Sequence, residues 1–114
     1  MESIIIYHNP QCSKSRKTLA YIKSKNINPM IKLYLQEDIT EKEIKNIVEM
    51  LGIKPIGLVR QHEEEFKNYK NKDLSDEEVF GLLIKYPKLI ERPIVVSDNK
   101  AILGRPPEKV FDII

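Results

Sequence analysis

The chain has 114 residues, which predicts one compact domain, 1–114, and leaves little room for a second. Its 19 basic and 17 acidic residues are interleaved and give a net charge of +2, so composition favours neither a nucleic-acid nor a membrane-surface partner. No apolar run approaches a membrane span, the N-terminus lacks a secretory leader pattern, and a single cysteine cannot form an internal disulfide, so we expect a cytoplasmic protein.

The first third of the chain predicts a strand, a helix and a second strand. Ser3–Tyr7 is apolar and β-branched and ends at a His-Asn-Pro turn, as a buried strand does. A helix is predicted from Ser13 to about Lys25, and Met30–Leu35 alternates apolar and polar residues like a strand. Two strands joined through a helix are expected to pair in parallel.

The middle of the chain predicts two capped helices. One runs from Thr40 to Gly52 and the other from Ser75 to Pro87, and each begins with a hydroxyl residue followed three positions later by glutamate. This spacing is typical of a capping box. The highly charged segment between them, Gln61–Asp73, is interpreted as solvated surface.

The last third predicts a hairpin and a final helix. Ile94–Val96 and Ala101–Leu103 are short apolar runs on either side of the polar turn Ser-Asp-Asn-Lys. Pro106 and Pro107 then suit the first turn of a helix. The order is β-α-β, a helical middle, then β-β-α, which predicts an α/β fold.

The only cysteine, Cys12, lies between a turn and the start of the first predicted helix. Unpaired backbone N–H groups and the helix dipole stabilise negative charge at that position, and Lys14 and Arg16 add positive potential. These effects favour the nucleophilic thiolate, and the same N–H groups could hold an oxyanion beside the sulfur. Ser15 could donate a further hydrogen bond, and His8 is close enough to donate to the thiolate or to an adjacent oxygen.

Each of these interpretations has a plain alternative. A lone free cysteine is often a small buried hydrophobe, although the polar neighbours of Cys12 favour a reactive thiol. A histidine at the end of a strand often only caps a turn, so for His8 a role in the chemistry and a purely structural role are given equal weight.

Several other thiol and metal chemistries do not fit the spacing. A dithiol redox pair needs C-x-x-C, but Ser15 stands at the second position. A cysteine phosphatase loop needs arginine six residues after the cysteine, but Thr18 stands there. His62 is isolated from any other metal-binding residue, so no metal site is predicted.

Arginine is rare in this lysine-rich chain, with four in total. Besides the one in the cysteine segment they are Arg60, Arg92 and Arg105, all at turn positions. Such placement suggests planar, bidentate recognition of an oxyanion. The alternative for each is an ordinary ion pair, and three glutamates follow Arg60 closely. Spacing alone does not show that the three converge.

The segments IYHNPQCSKSRKTL, LYL, LVR, ERPIVV and GRPPE, in this order over nearly the whole chain, resemble the glutaredoxin-coupled arsenate reductases. These form the ArsC-type branch of the thioredoxin-like superfamily. The resemblance implies a thioredoxin-like fold with a mixed sheet and a helical insertion in the middle. It also implies a cis peptide bond between Arg92 and Pro93, a deliberate backbone feature where it occurs.

The resemblance further implies a mechanism. Cys12 would attack arsenate, or a similar oxyanion, and form a thiol–arsenic(V) adduct. Glutathione as co-substrate and glutaredoxin would then supply the reducing power, with no bound cofactor, and we expect a monomer. The oxyanion-binding residues carried over by motif are Arg60, Arg92 and Arg105. The residues that match those lowering the thiol pKa are His8, Ser15 and Arg16.

The sequence departs from the better-established members in two ways. It ends at Ile114, without the C-terminal tail of longer arsenate reductases, and it reads CSKS where those read CGTS. Two other functions stay open. One is an Spx-type regulator that binds RNA polymerase, although Ser15 removes the C-x-x-C switch. The other is a glutathione-dependent thiol reductase that uses Cys12 on another substrate.

Overall fold

The computed structural model describes residues 3–114, and these form two units. Unit 1 contains the described residues up to Glu37 together with Arg92–Ile114, and unit 2 is Asp38–Glu91. The single domain predicted for 1–114 stays a prediction, and each unit is described by itself below.

Unit 1 is a four-stranded mixed sheet with one α-helix. Its elements in chain order are β1 (Ile4–Tyr7), α1 (Ser13–Ser24), β2 (Met30–Lys32), β3 (Ile94–Ser97), β4 (Lys100–Leu103) and a 3₁₀ helix (Pro107–Asp112). The strand order is β2-β1-β3-β4; β1 pairs parallel with β2, and β3 pairs antiparallel with both β1 and β4. The predicted α/β class and β-α-β … β-β-α order are confirmed.

The core of unit 1 follows from the alternation of side chains along its strands. Ile4 and Ile6 lie on the same face of β1 and pack with Ile22 of α1, Val95 of β3 and Val110 of the 3₁₀ helix. All five are buried. Burying such a side chain stabilises a fold by about 1.5–3 kcal/mol, so these contacts fix α1 against the sheet.

The pairing register of the sheet places the ends of three strands side by side at the same end of the sheet. Tyr7, the last residue of β1, pairs with Ile94, the first of β3, and Ile94 pairs with Leu103, the last of β4. The cysteine loop follows β1, the first arginine-proline pair precedes β3, and the glycine-arginine pair follows β4. These segments therefore leave the sheet side by side, and the sequence alone did not reveal this arrangement.

Strand β2 and the final helix differ from their predicted forms. Strand β2 ends at Lys32 rather than at Leu35, because the N–H groups of Gln36 and Glu37 both donate to the carbonyl oxygen of Leu33, each at 2.9 Å, and turn the chain. The final helix, Pro107–Asp112, is a 3₁₀ helix rather than an α-helix.

Unit 2 contains the two capped helices, α2 (Glu41–Leu51) and α3 (Asp76–Lys85). Both predicted capping boxes are present, and Gly52 ends α2 with a φ of 67°, a left-handed conformation that glycine adopts at little cost. Three short 3₁₀ helices complete the unit: Pro55–Leu58, Glu64–Phe66 and Pro87–Leu89. The charged segment predicted as surface is largely exposed, but it buries Phe66.

The hairpin turn between β3 and β4 is tighter than predicted. Strand β3 extends to Ser97 and β4 begins at Lys100, so two residues form the turn, and Asp98 adopts a φ of 54°. None of the helices within residues 3–114 has the length and apolar character needed to cross a membrane.

Candidate active site

The loop between β1 and α1 is organised by Asn9, whose role the sequence analysis missed. Its backbone carbonyl accepts from the N–H of Cys12 at 3.0 Å, and its side-chain oxygen accepts from the N–H of Gln11, also at 3.0 Å. Asparagine commonly bonds to the backbone two residues ahead, so the Asn-Pro dipeptide was the available signal. These bonds shape the turn that ends at the thiol.

Cys12 is the N-cap residue of α1. Its backbone is extended, with φ −98° and ψ 121°, and its carbonyl accepts the first helical hydrogen bond, from the N–H of Arg16 at 3.0 Å. The unpaired N–H groups of the first helical turn therefore lie just beyond the thiol, as the sequence predicted.

The thiol of Cys12 is acidified by several groups. Partial burial raises its pKa, but the backbone N–H of Ser15, the side chain of Arg92, the backbone N–H of Lys14 and the charge of Arg92 together outweigh burial. The pKa of Cys12 therefore lies below that of an ordinary cysteine. Because the thiolate is the nucleophile, the structure favours the reactive interpretation over the inert one.

His8 and Ser15 form a buried pair beneath the loop. His8 Nδ1 lies 2.6 Å from Ser15 Oγ, and the same oxygen accepts from the N–H of Asn9 at 3.0 Å. Burial, and then the charges of Arg16 and Lys23, lower the pKa of His8, so its imidazole is neutral at neutral pH. The hydroxyl of Ser15 thus holds the loop, while its backbone N–H faces the thiol.

Arg16 supports the loop from outside. Its guanidinium is exposed and donates from Nη1 to the carbonyl oxygen of Pro10 at 2.8 Å. This bond spans the turn that contains the thiol, which is consistent with a supporting role.

Arg92 and Arg105 lie together at the same edge of the sheet. Arg105 Nη1 donates to the backbone carbonyl oxygen of Arg92 at 3.0 Å, and Arg92 donates from its side chain to Cys12. Arg92 Nε is buried and has no hydrogen-bond partner among the described residues. Within residues 3–114 neither guanidinium forms an ion pair with a carboxylate, so no acidic side chain of these residues neutralises either charge.

Arg60 lies in unit 2 and has a different environment. Its Nε is 3.3 Å from a carboxylate oxygen of Glu63, its Nη1 is 3.5 Å from Glu91, and its Nη2 is 3.1 Å from His62 Nε2. Only 10% of the Arg60 side chain is exposed. The ion-pair alternative that the sequence left open is therefore present for this arginine.

The segment that carries Arg92 includes a cis peptide bond between Arg92 and Pro93, and a second one joins Arg105 to Pro106. Gly104 directly precedes Arg105, and its N–H donates to the carbonyl oxygen of Pro93 at 2.9 Å. The end of β4 is thereby bonded to the residue that follows Arg92.

Comparison with known proteins shows to which family this chain belongs. The model of the ArsC family matches residues 7–113, a span that includes the thiol and all three of the arginines considered above. The chain belongs to the ArsC family. Its fold is accordingly the thioredoxin-like α/β fold that the motifs implied.

Relatives of this ArsC family member match over nearly their full length. It is 47% identical to a protein named arsenate reductase from Haemophilus influenzae, over 98% of this chain and 99% of that protein. It is 40% identical to the uncharacterised protein YfgD of Escherichia coli, over 99% and 98% of the two chains. The solved structure of an arsenate reductase from Vibrio cholerae aligns with a TM-score of 0.93 at 43% identity, over 98% of each chain.

In this ArsC family member, unit 1 contains all but one of the residues that the motifs singled out: His8, Cys12, Ser15, Arg16, Arg92, Pro93 and Arg105. The exception is Arg60, which unit 2 holds between two glutamates. The arrangement in unit 1 offers a nucleophilic thiolate, backbone N–H donors and two unpaired guanidinium groups, and can bind and react with a small oxyanion.

Proposed function

We propose that this protein is an arsenate reductase that uses Cys12 as its nucleophile. The observation that carries the proposal is the acidified thiol of Cys12, with the Arg92 side chain bonded to it and the Arg105 guanidinium bonded to the Arg92 carbonyl. The matched relatives named arsenate reductase support it.

In the first step, the sulfur of Cys12 attacks arsenate. A sulfur–arsenic bond forms between the Cys12 thiolate and dihydrogen arsenate, one arsenate oxygen leaves as water with both substrate protons, and arsenic stays pentavalent. Arg92 and Arg105 hold the remaining oxygens and stabilise the charge of the transition state. The N–H groups at the start of α1 keep the attacking sulfur ionised.

The second step needs an external thiol. Glutathione attacks the sulfur of Cys12, a mixed disulfide forms, and the electron pair of the breaking sulfur–arsenic bond reduces arsenic to arsenite. Glutaredoxin then reduces the mixed disulfide. This assignment is supported by the single cysteine of the chain, which leaves no internal thiol to resolve the adduct. We propose no bound cofactor, a monomer, and a cytoplasmic location.

For Arg60 the oxyanion role comes from the motif resemblance alone and stays a prediction. Its two carboxylate partners in unit 2 already neutralise its charge. Arg92 and Arg105 are therefore the arginines on which the proposed reaction depends.

The alternatives differ in what they require of the site. An Spx-type regulator would use a disulfide switch, whereas the position for its second thiol holds Ser15, buried and bonded to His8 and Asn9. A glutathione-dependent thiol reductase for another substrate would need Cys12 but not the two unpaired arginines. The presence of both arginines favours the oxyanion substrate.

The test is direct measurement of arsenite formed from arsenate by the purified protein with glutathione, glutaredoxin and an NADPH-linked recycling system. We expect turnover by the wild type, none by Cys12→Ser, and none when glutathione is omitted. A wild-type protein that gives no arsenite, while Cys12 still reacts as a low-pKa thiolate, would contradict the arsenate assignment.

A further inference from the structure

Gly104 occupies a position where a side chain does not fit. A Cβ atom built there would lie 2.6 Å from Thr18 Oγ1, 2.7 Å from Pro93 Cγ and 3.2 Å from Thr18 Cγ2. Real Cβ atoms essentially never approach other heavy atoms below 3.0 Å. The backbone of Gly104 is not in the left-handed region, so the requirement is for space rather than for a special φ.

The two neighbours of Gly104 belong to different elements of unit 1, since Thr18 lies in α1 and Pro93 directly precedes β3. Thr18 is fully buried in α1 and donates from Oγ1 to the carbonyl oxygen of Lys14 at 2.8 Å. Lys14 is in the helical turn whose N–H groups face the thiol of Cys12. Pro93 directly follows Arg92, and Gly104 itself directly precedes Arg105.

Backbone hydrogen bonds make this close approach part of the arginine arrangement. Gly104 donates its N–H to the carbonyl oxygen of Pro93 at 2.9 Å, and Arg105 donates from Nη1 to the carbonyl oxygen of Arg92 at 3.0 Å. The two residues that follow β4, Gly104 and Arg105, are thus hydrogen-bonded to the two residues that precede β3. A side chain at position 104 would push these hydrogen-bonded segments away from α1, because close-packed interiors accommodate added atoms only by displacement.

We propose that Gly104 is a positioning residue of the anion site: its missing side chain lets the end of β4 close against Thr18 and Pro93, which sets Arg92 and Arg105 beside the thiol of Cys12. This inference rests on the proposed function for its kinetic consequence. Its geometric consequence, the distance between Arg92 and Cys12, is independent of the substrate.

The direct test is Gly104→Ala with two readouts. The first is the rate of Cys12 alkylation by iodoacetamide against pH, which we expect to shift to higher pH because Arg92 no longer stabilises the thiolate fully. The second is arsenate reduction, for which we expect kcat/KM to fall at least about tenfold, mainly through a higher KM, because positioning errors of about an ångström weaken anion binding.

Matched variants separate positioning from general damage. Gly81→Ala makes the same change in helix α3, where a Cβ meets nothing within 4 Å, and should leave both readouts unchanged. Thr18→Ala combined with Gly104→Ala removes two of the three close contacts while the Pro93 contact remains. We expect the double variant to recover at least half of the pH shift, relative to Thr18→Ala alone.

The outcomes are distinct. A folded Gly104→Ala with an unchanged alkylation profile and an unchanged KM would overturn the proposal, and so would a double variant that recovers nothing. If Gly104→Ala does not fold, the double variant decides; failure of both to fold would also overturn it, since the glycine would then serve the fold. If the wild type lacks arsenate reduction, the proposed function fails, and the alkylation profiles alone decide the role of Gly104.

Discussion

Arg92 and Arg60 show how one residue type serves two purposes in the two units of this protein. In unit 1, Arg92 donates to the thiol of Cys12, has a buried Nε without a partner, and forms no ion pair with a carboxylate within residues 3–114. In unit 2, Arg60 contacts Glu63 and Glu91. An unpaired guanidinium can bind a substrate anion, whereas a paired one is already neutralised by the protein.

The difference comes from where the carboxylates lie. Glu91 directly precedes Arg92 in the sequence, yet it pairs with Arg60, because Leu58–Arg60 runs antiparallel to Leu89–Glu91. The N–H of Arg60 donates to the carbonyl oxygen of Leu89 at 2.7 Å, and the N–H of Glu91 donates to that of Leu58 at 2.8 Å. The glutamate nearest to Arg92 along the chain is thereby committed to another partner.

Replacing Arg92 should give the largest effect. We expect Arg92→Gln to lower kcat/KM for arsenate by about 100-fold, because it removes both a substrate ligand and a donor to the thiolate. Steady-state kinetics with arsenate, glutathione and glutaredoxin measure this. A fall of less than about threefold would remove Arg92 from the site.

Replacing Arg60 should affect stability first. Arg60→Gln leaves Glu63 and Glu91 without their cation, and burial would then raise the pKa of Glu63, which Arg60 now lowers against that burial. We expect the free energy of unfolding to fall by about 2 kcal/mol. Urea denaturation measures it, with Arg60→Lys as the control that keeps the charge. An unchanged free energy of unfolding, together with a raised KM for arsenate, would instead assign Arg60 to the oxyanion.

Replacing Arg105 should give an intermediate kinetic effect without a comparable loss of stability. Arg105→Gln removes one oxyanion ligand and the bond to the Arg92 carbonyl, so we expect kcat/KM to fall about tenfold. Arg105→Lys keeps the charge but not the planar fork and should recover part of the loss. Equal activity of the wild type and both variants would restrict the anion site to Arg92.

The smallest effect concerns His8. Burial, the charge of Arg16 and that of Lys23 lower its pKa, so between the folded pKa and the ordinary value of about 6.5 the unfolded chain binds more protons. The contribution of His8 to the free energy of unfolding is fully present above about pH 6.5. It is lost as the pH falls through that range, by at most about 1.4 kcal/mol per pH unit. The difference between wild-type and His8→Gln unfolding curves from pH 7.5 to 4.5 measures it. A difference that is independent of pH would mean that the pKa of His8 is not lowered.

Local patterns predicted much of the fold and most of the candidate site. Capping boxes, β-branched runs and a polar turn are short-range signals, and the helices and hairpin formed close to where these signals lie. The predicted strand β2 is longer than the observed one because apolar and polar residues alternate up to Leu35. In the structure, backbone N–H groups that donate to the carbonyl oxygen of Leu33 turn the chain there. The 3₁₀ form of the last helix likewise has no signal in the two prolines that open it.

What the sequence could not separate was the environment of each arginine. Arg60, Arg92 and Arg105 all stand at turn positions in the sequence, but their partners depend on pairing between distant segments, such as Val59 with Ile90. The space required at Gly104 also arises from three elements that meet only in the fold. Asn9, by contrast, was predictable from its own dipeptide.

The measurement that tests the central claim most directly is the pH dependence of Cys12 alkylation in the wild type, Arg92→Gln and Arg60→Gln, followed by mass spectrometry. We predict a wild-type thiol pKa below that of an ordinary cysteine, a higher pKa in Arg92→Gln, and no change in Arg60→Gln. A wild-type thiol that titrates at or above the ordinary value, or an equal shift in both variants, would contradict the account of a thiolate activated within unit 1.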